Sequence, residues 1–437
     1  MAPQPQAKLS LTDAVYIGAG SMIGAGLFAA FAPATAAAGN WLLLSLALAA
    51  FLAFANATSS AQLAAQHPES GGTYIYGSRQ LGHAWGFAAG WCFVIGKTAS
   101  CAAMAMTFAS YLAPGYEKLL AIAAVAALTA VNYRGITRTA ALTKILVTLV
   151  LLALAVFFGA VLLGVAPDPA ITSPNAGAGA GASAAPISPV ATIYGILQGA
   201  GLLFFAFAGY ARIATMGSEV RDPARTIPRA IIIALTLVGS LYVLVALALI
   251  HQLGYEGLAD ASAPLATAVG SSAPLATAVG SSVPLAALMG LAASIGALGA
   301  LLALITGIGR TGQAMASNRD FPTYFAHLHP VYGVPYRLEI TVAVAVTALI
   351  LLFDVRGAIG FSSFGVLLYY CVANLAAFTQ TGSYRRYPRA LQAAGAAGCC
   401  LVVGTLPPAS LAGGLVLLGV GLAVYLLYAR PTQLAQP

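Results

Sequence analysis

Two glycine-rich segments inside apolar runs could do chemistry through their backbone. Residues 18–26 read GAGSMIGAG, with polar Ser21 at the centre, and residues 204–217 read FFAFAGYARIATMG, with Gly209 in mid-run. Glycine weakens a helix and lets other groups approach the backbone closely. We therefore expect a helix to be interrupted in each segment, which would expose backbone N–H and C=O groups that can bind a ligand. Close helix packing is the alternative role of these glycines.

The predicted interruptions offer hydrogen-bond donors on one side and acceptors on the other. A half-helix that begins near Gly24 presents free N–H groups and a positive dipole end, and both features suit a carboxylate. The carbonyl groups of the same break, together with those near Phe205 and Ala208, suit an ammonium group. A site that has both features matches the head group of an α-amino acid.

Two basic residues, Lys97 and Arg212, also lie inside apolar runs. A lysine at the centre of a membrane helix costs at least about 2.5–3.5 kcal/mol, so Lys97 should face a cavity or a partner. Three roles fit Lys97: it carries a proton in place of a coupling sodium ion, it attracts an acidic side chain of a substrate, or it donates structurally to backbone carbonyls. Arg212 stays charged at accessible pH. Glu219, seven residues further on, is one of several candidate partners for it.

The composition defines the class of protein that must position these groups. The chain has 437 residues, of which 60% are hydrophobic and 7% are charged. An ordinary soluble chain is roughly 45–50% apolar and about 25% charged. At about 150 residues per domain, a soluble chain of this length would form roughly three domains. So few charges cannot supply the polar surface of three such domains, which excludes a soluble enzyme and indicates an integral membrane protein. The sequence has no intramembrane carboxylate pair, no Ser/His dyad and no histidine pair at metal-ligand spacing. It therefore predicts no catalytic residue, no metal site and no cofactor.

The apolar runs predict an all-α fold of twelve transmembrane helices. A bilayer core of about 30 Å needs roughly 20 apolar residues in a helix. These runs are apolar all round, whereas the strands of a β-barrel would alternate apolar and polar residues. The runs begin near Leu11, Trp41, Gly82, Tyr116, Ala140, Pro189, Pro228, Val283, Leu338, Gly357, Leu391 and Leu411.

The two interrupted runs are the first and the sixth, so they correspond if runs 1–5 and 6–10 are repeats. This symmetry predicts a transporter core over residues 12–380, made of repeats at about 12–165 and 190–380. Residues 390–430 would add two further helices, and residues 1–11 and 431–437 would be cytoplasmic tails. The segment SAPLATAVGS occurs twice, at 262–271 and 272–281. We interpret the duplication as a lengthened outside loop whose role stays open.

The positions of lysine and arginine predict the orientation in the membrane. With the N-terminus in the cytoplasm, fifteen of the 19 basic residues fall in cytoplasmic segments and two fall outside. This bias places both termini in the cytoplasm and the protein in the cell (cytoplasmic) membrane. The net charge of +8 then reflects topology, so we expect the lipid bilayer and a small molecule as partners and no nucleic acid. The oligomeric state stays open.

Several motifs together resemble the amino acid–polyamine–organocation (APC) family of transporters. GAGSMIGAGLF resembles the family's first-span signature, and ESGGTYIYGSRQLG, at 69–82, resembles its loop between spans 2 and 3. Residues 204–231 resemble its sixth span and the loop that follows, and VNYRGITRTA and ASNRDFPTYFAHLHP also fit. The resemblance implies a LeuT-like 5+5 inverted repeat with discontinuous helices 1 and 6, and alternating access around a site between spans 1, 3, 6 and 8.

The resemblance also implies roles for individual residues. Backbone N–H groups of Ala25 and Gly26 would hold a substrate carboxylate, and carbonyls of Met22, Phe205 and Ala208 would hold the ammonium. Phe205 would also be a lid over the substrate, and Tyr74 would belong to an inner gate. The charge cluster that begins at Glu219 is interpreted as a salt-bridge lock at the same gate. The remaining backbone of the predicted substrate site consists of Ser21, Ile23, Gly24 and Gly209.

Two departures from the family's pattern guide the predicted function. Members that take basic substrates can carry an acid at the position of Ala211, and many members carry a lysine at the position of Val150. We therefore expect a permease for a neutral or acidic amino acid, coupled to protons through Lys97, with a sodium gradient as the alternative energy source. An exchanger of amino acids or amines with the same fold is the alternative, and a channel is a further one.

Overall fold

The computed structural model describes residues 8–69, 71–113, 115–134, 139–164, 188–214, 216–217, 219–270 and 285–428. Within these ranges the regular structure is helical, apart from one isolated parallel bridge between Leu9 and Val220. The second copy of SAPLATAVGS and the predicted C-terminal tail lie outside the described residues, as does most of the N-terminal tail.

The helices of the first half follow in chain order, and their bounds frame the first interrupted run. They are α1 (Leu11–Met22), α2 (Ala25–Ala29), α3 (Phe31–Ala38), α4 (Leu42–Gln66), α5 (Thr73–Gln80), α6 (His83–Leu112), α7 (Glu117–Tyr133) and α8 (Thr139–Leu162). A capping box starts α1, because the Ser10 hydroxyl accepts from the Asp13 N–H at 3.2 Å and the Asp13 carboxylate accepts from the Ser10 N–H at 2.8 Å.

The helices of the second half frame the second interrupted run. They are α9 (Pro189–Phe207), α10 (Ala211–Ala214), α11 (Pro223–Asp260), α12 (Pro264–Val269), α13 (Leu285–Ser317), α14 (Tyr336–Leu352), α15 (Val355–Thr379), α16 (Arg389–Val403) and α17 (Pro408–Tyr428). The first copy of the duplicated segment forms α12, which is buried and packs against α11 and α13.

Nine segments in the described ranges are long and apolar enough to cross a membrane. They are Leu11–Ala29, Phe31–Gln66, His83–Leu112, Thr143–Leu162, Pro189–Ala214, Pro223–Asp260, Leu285–Ser317, Val355–Thr379 and Pro408–Leu427. The shorter helices α7, α14 and α16 begin where the fourth, ninth and eleventh runs are predicted. An all-helical membrane protein is therefore confirmed, whereas the count of twelve spans stays a prediction.

Helix α6 lies at the centre of the bundle, where it packs between α13 and α15. Glycines allow this close approach: a methyl group at Gly96 would lie 3.0 Å from the backbone nitrogen of Val366. The N-terminal segment pairs with the chain after α10, since Leu9 N–H donates to the Glu219 carbonyl at 2.9 Å. We call the end of the bundle that carries this pairing the Leu9 end.

Candidate functional site

The first apolar run is interrupted where the glycines are densest. Helix α1 ends at Met22 and α2 begins at Ala25, and Gly24 between them has φ −132° and ψ −140°. The N–H of Gly24 turns back to the Met22 carbonyl at 2.8 Å, and the N–H of Leu27 donates to the Gly24 carbonyl at 3.1 Å. The N–H groups of Ala25 and Gly26 therefore lie in the first turn of α2. No carbonyl within α2 is available to accept from N–H groups in its first turn.

The sixth apolar run changes its helical geometry at the predicted place. Helix α9 ends at Phe207, a 3-10 turn covers Ala208–Tyr210, and α10 resumes at Ala211. A 3-10 turn is tighter than an α-helix and often marks a hinge or a strained sequence. Phe205, the predicted lid, is 5% exposed within this segment.

The two interrupted runs touch each other through glycine. A methyl group at Gly209 would lie 2.4 Å from the carbonyl carbon and oxygen of Ser21, and one at Gly26 would lie 2.4 Å from the Cα of Ala206. Real side-chain carbons essentially never come this close to another heavy atom. The structure thus brings the two predicted segments together backbone against backbone, and only glycine fits at either contact.

Lys97 of α6 meets the sixth run at this junction. Its ammonium Nζ donates to the Ala208 carbonyl at 3.0 Å, and the residue is 3% exposed. This carbonyl is one of those predicted to accept from a substrate ammonium. The ammonium group of Lys97 therefore occupies the Ala208 carbonyl, which was predicted to accept from the ammonium group of a substrate.

Tyr242 of α11 is a residue of this junction that sequence reasoning missed. Its hydroxyl lies 2.7 Å from the Met22 carbonyl and 2.9 Å from the Ala206 carbonyl, so it bridges both interrupted runs. A tyrosine in the middle of an apolar run was the available signal, because a buried tyrosine hydroxyl needs a partner. The sequence does not say which carbonyls the hydroxyl would reach.

A small cavity of about 30 Å³ lies beside the first break, between α1, α8 and α13. Its lining includes Ser21, Gly296 and Val150, the position at which the resemblance to the APC family implies a lysine in many relatives. The Ser21 hydroxyl donates to the Ile17 carbonyl at 2.8 Å. A cavity of this size holds about one water molecule. In this chain an apolar valine occupies the wall from which a lysine would project.

A carboxylate joins two arginines at the Leu9 end. Glu219 accepts from the Arg212 guanidinium at 3.2 and 3.3 Å and also contacts the guanidinium of Arg310 on α13. A continuous helix would separate residues 212 and 219 by about 10 Å of rise. Helix α10 ends at Ala214, however, and the chain turns back, so the pair forms. Glu219 thereby ties the sixth run to α13.

Tyr74, the other predicted gate residue, belongs to a separate buried polar cluster at the Leu9 end. Its hydroxyl donates to Asp320 at 2.6 Å and accepts from the Asn318 amide at 2.8 Å. His83 lies 2.7 Å from the other oxygen of Asp320. Burial raises the pKa of the Asp320 carboxyl and that of the Tyr74 hydroxyl above their usual values. No pattern in the sequence predicts that Asp320 and His83 meet.

Comparison with known proteins places this architecture in a family. The family model described as amino acid permease matches residues 9–436. The chain belongs to the amino acid permease family. The permease is 50% identical over 418 residues to an uncharacterized transporter of Mycobacterium tuberculosis, an alignment that covers 96% of this chain and 90% of that protein.

More distant relatives carry more specific names. A branched-chain amino acid permease of Bacillus subtilis is 25% identical over 288 residues, which cover 60% of this chain and 59% of that protein. A low-affinity putrescine importer of Escherichia coli is 25% identical over 378 residues, which cover 85% of this chain and 80% of that protein. The resemblance to the APC family is thus confirmed, and the permease is a transporter rather than an enzyme. These distant relatives differ in their named substrates.

Proposed function

We propose that the permease is a secondary active transporter that moves a neutral or acidic amino acid across the cytoplasmic membrane by alternating access. The observation that carries the proposal is the backbone contact between the two interrupted runs. It brings the segment that carries the N–H groups of Ala25 and Gly26 against the segment that carries the Ala208 carbonyl. This contact supports a site between them for the two ends of an amino acid. The proposal includes twelve spans, a LeuT-like 5+5 repeat and cytoplasmic termini.

The charges near this point support the proposed substrate class. Lys97 brings an ammonium to the Ala208 carbonyl, and Arg212 follows one residue after Ala211, where an acid would suit a basic substrate. A substrate whose side chain brings a further cation close to Lys97 would be repelled, whereas one with an acidic side chain would be attracted. We therefore favour neutral and acidic amino acids over basic ones.

Proton symport is the energy coupling that we propose, with Lys97 as the group that carries the proton. A buried lysine can exchange its proton, whereas an arginine stays charged. Loss of the proton would weaken the hold of Lys97 on the Ala208 carbonyl, so protonation and the geometry of the sixth run would be linked. Sodium is the alternative coupling ion.

A thermal-shift screen against the standard amino acids at two pH values tests the substrate class. Binding should raise the unfolding temperature for some neutral or acidic amino acids and not for lysine or arginine. Uptake into proteoliposomes then tests the coupling, with an acid-outside gradient and with sodium present or omitted. No shift with any amino acid would contradict the proposal, and uptake that depends on internal amino acid would favour the exchanger.

Lys118 provides a matched control for Lys97. Its Nζ also donates to a backbone carbonyl at 3.0 Å, that of Leu351, but Lys118 is exposed. We expect Lys97→Ala to abolish the response of uptake to the pH gradient and Lys118→Ala to preserve it. If collapse of the gradient leaves wild-type uptake unchanged, proton coupling is wrong.

A further inference from the structure

A second buried acid lies at the Leu9 end, outside the junction of the interrupted runs. Glu339, in the first turn of α14, is 2% exposed. Its Oε1 accepts from the Asn132 amide of α7 at 3.0 Å, and the Asn132 carbonyl oxygen accepts from the Thr306 hydroxyl of α13 at 3.2 Å. Among the described residues, no donor reaches the other carboxyl oxygen, Oε2. The Glu339 carboxyl thus lies buried between α7, α13 and α14, and the Asn132 amide is its one hydrogen-bond donor among the described residues.

This environment favours the uncharged form of Glu339. A buried carboxylate that lacks a paired cation pays a large desolvation cost, and one amide hydrogen bond does not offset it. Protonation removes the charge and costs at most an unsatisfied hydroxyl. A charged partner within reach would reverse this preference.

Arg310 is such a partner, and Glu219 holds it in the present arrangement. A methyl group at the neighbouring Gly309 would lie 3.3 Å from Oε1 of Glu339, so α13 passes directly beside the acid. Arg310 follows Gly309 directly in α13, and its guanidinium contacts Glu219. From α7 the acid is faced by the neutral Asn132. One arginine therefore stands between two acids, of which only Glu219 is a direct partner.

We propose that Glu339 is a proton-binding site whose occupancy depends on which acid Arg310 contacts. While Glu219 holds Arg310, Glu339 keeps its proton. When the Leu9 end opens and Glu219 withdraws, the guanidinium turns to Glu339, the O–H bond of the acid breaks, and the proton passes to water in the opened space. Arg310 stays charged throughout. The inference rests on the proposed function, because alternating access supplies the opening.

Infrared spectroscopy of the purified full-length protein tests this site without any ligand. At neutral pH the wild type should show a protonated-carboxyl C=O band that disappears in Glu339→Gln. Glutamine keeps the shape and the acceptor for Asn132, so the variant should fold. The matched control is Glu117→Gln, which changes a half-buried glutamate at the other end of α7 and should leave the band in place. A wild-type spectrum that Glu339→Gln leaves unchanged would overturn the proposal.

The exchange of partners needs a second pair of variants. Glu219→Gln removes the acid that holds Arg310, so Arg310 should turn to Glu339 and the band should be lost. The double variant Glu219→Gln/Arg310→Gln has no guanidinium at position 310 that could pair with Glu339. Glu339 should therefore keep its proton, and the band should return. If the band were lost in Glu219→Gln only because the fold loosens, the second substitution would not restore the band. A band that persists in Glu219→Gln refutes the exchange, whereas failure of the wild type to bind amino acids would contradict only the proposed function.

Discussion

Gly209→Ala should separate the two interrupted runs, because the added methyl group has no room. It would lie 2.4 Å from backbone atoms of Ser21, whereas ordinary contact begins at 3.4 Å, so the segments must part by about 1 Å. Overpacking costs about 1–3 kcal/mol. Backbone neighbours cannot rotate away as a side chain could, which places the cost near 2–3 kcal/mol, or roughly 30- to 150-fold in the equilibrium constant.

The assay is the apparent midpoint of thermal unfolding in one detergent at one heating rate. At about 2 °C per kcal/mol for a large domain, the midpoint should fall by roughly 4–6 °C. Gly307→Ala is the matched control, since Gly307 lies inside helix α13 and its methyl group would meet no atom within 4 Å. Alanine there should leave the midpoint unchanged or raise it. If Gly209→Ala unfolds no lower than the wild type, the contact that carries the proposed site is wrong.

Three further changes test separate contacts. Tyr242→Phe removes the hydroxyl that bridges both runs and its hydrogen bond to the Met22 and Ala206 carbonyls, so we expect a loss of about 0.5–1.5 kcal/mol, measured as a lower unfolding midpoint. Burial lowers the pKa of His67 below 6.5, so its neutral form favours the folded state. Its contribution to stability is present above pH 6.5 and is lost as the pH falls; His67→Gln should flatten that acid-side loss in a pH series of unfolding midpoints. Glu219→Gln should let the Leu9 end open more often, and a hydrogen-exchange rate there equal to that of the wild type would contradict this.

Local patterns in the sequence predicted much of the fold because membrane helices are read from local composition. Apolar length marked the helices, and glycine density marked the break at Gly24 and the change of geometry at Ala208. Helix length was less predictable: α7, α14 and α16 have 17, 17 and 15 residues, fewer than the roughly 20 that a spanning helix needs.

What the sequence determined by itself is the class of protein, the break of the first run at Gly24 and the change of helical geometry in the sixth run, because composition and glycine spacing act over a few turns of chain. The tertiary structure decided the partners. Lys97 and Ala208 are 111 positions apart, and Tyr242 and Met22 are 220 apart, so only helix packing brings each pair together. The meeting of Arg212 and Glu219 likewise depended on where α10 ends. Hydrogen bonds between distant helices follow from three-dimensional packing, which no local pattern encodes.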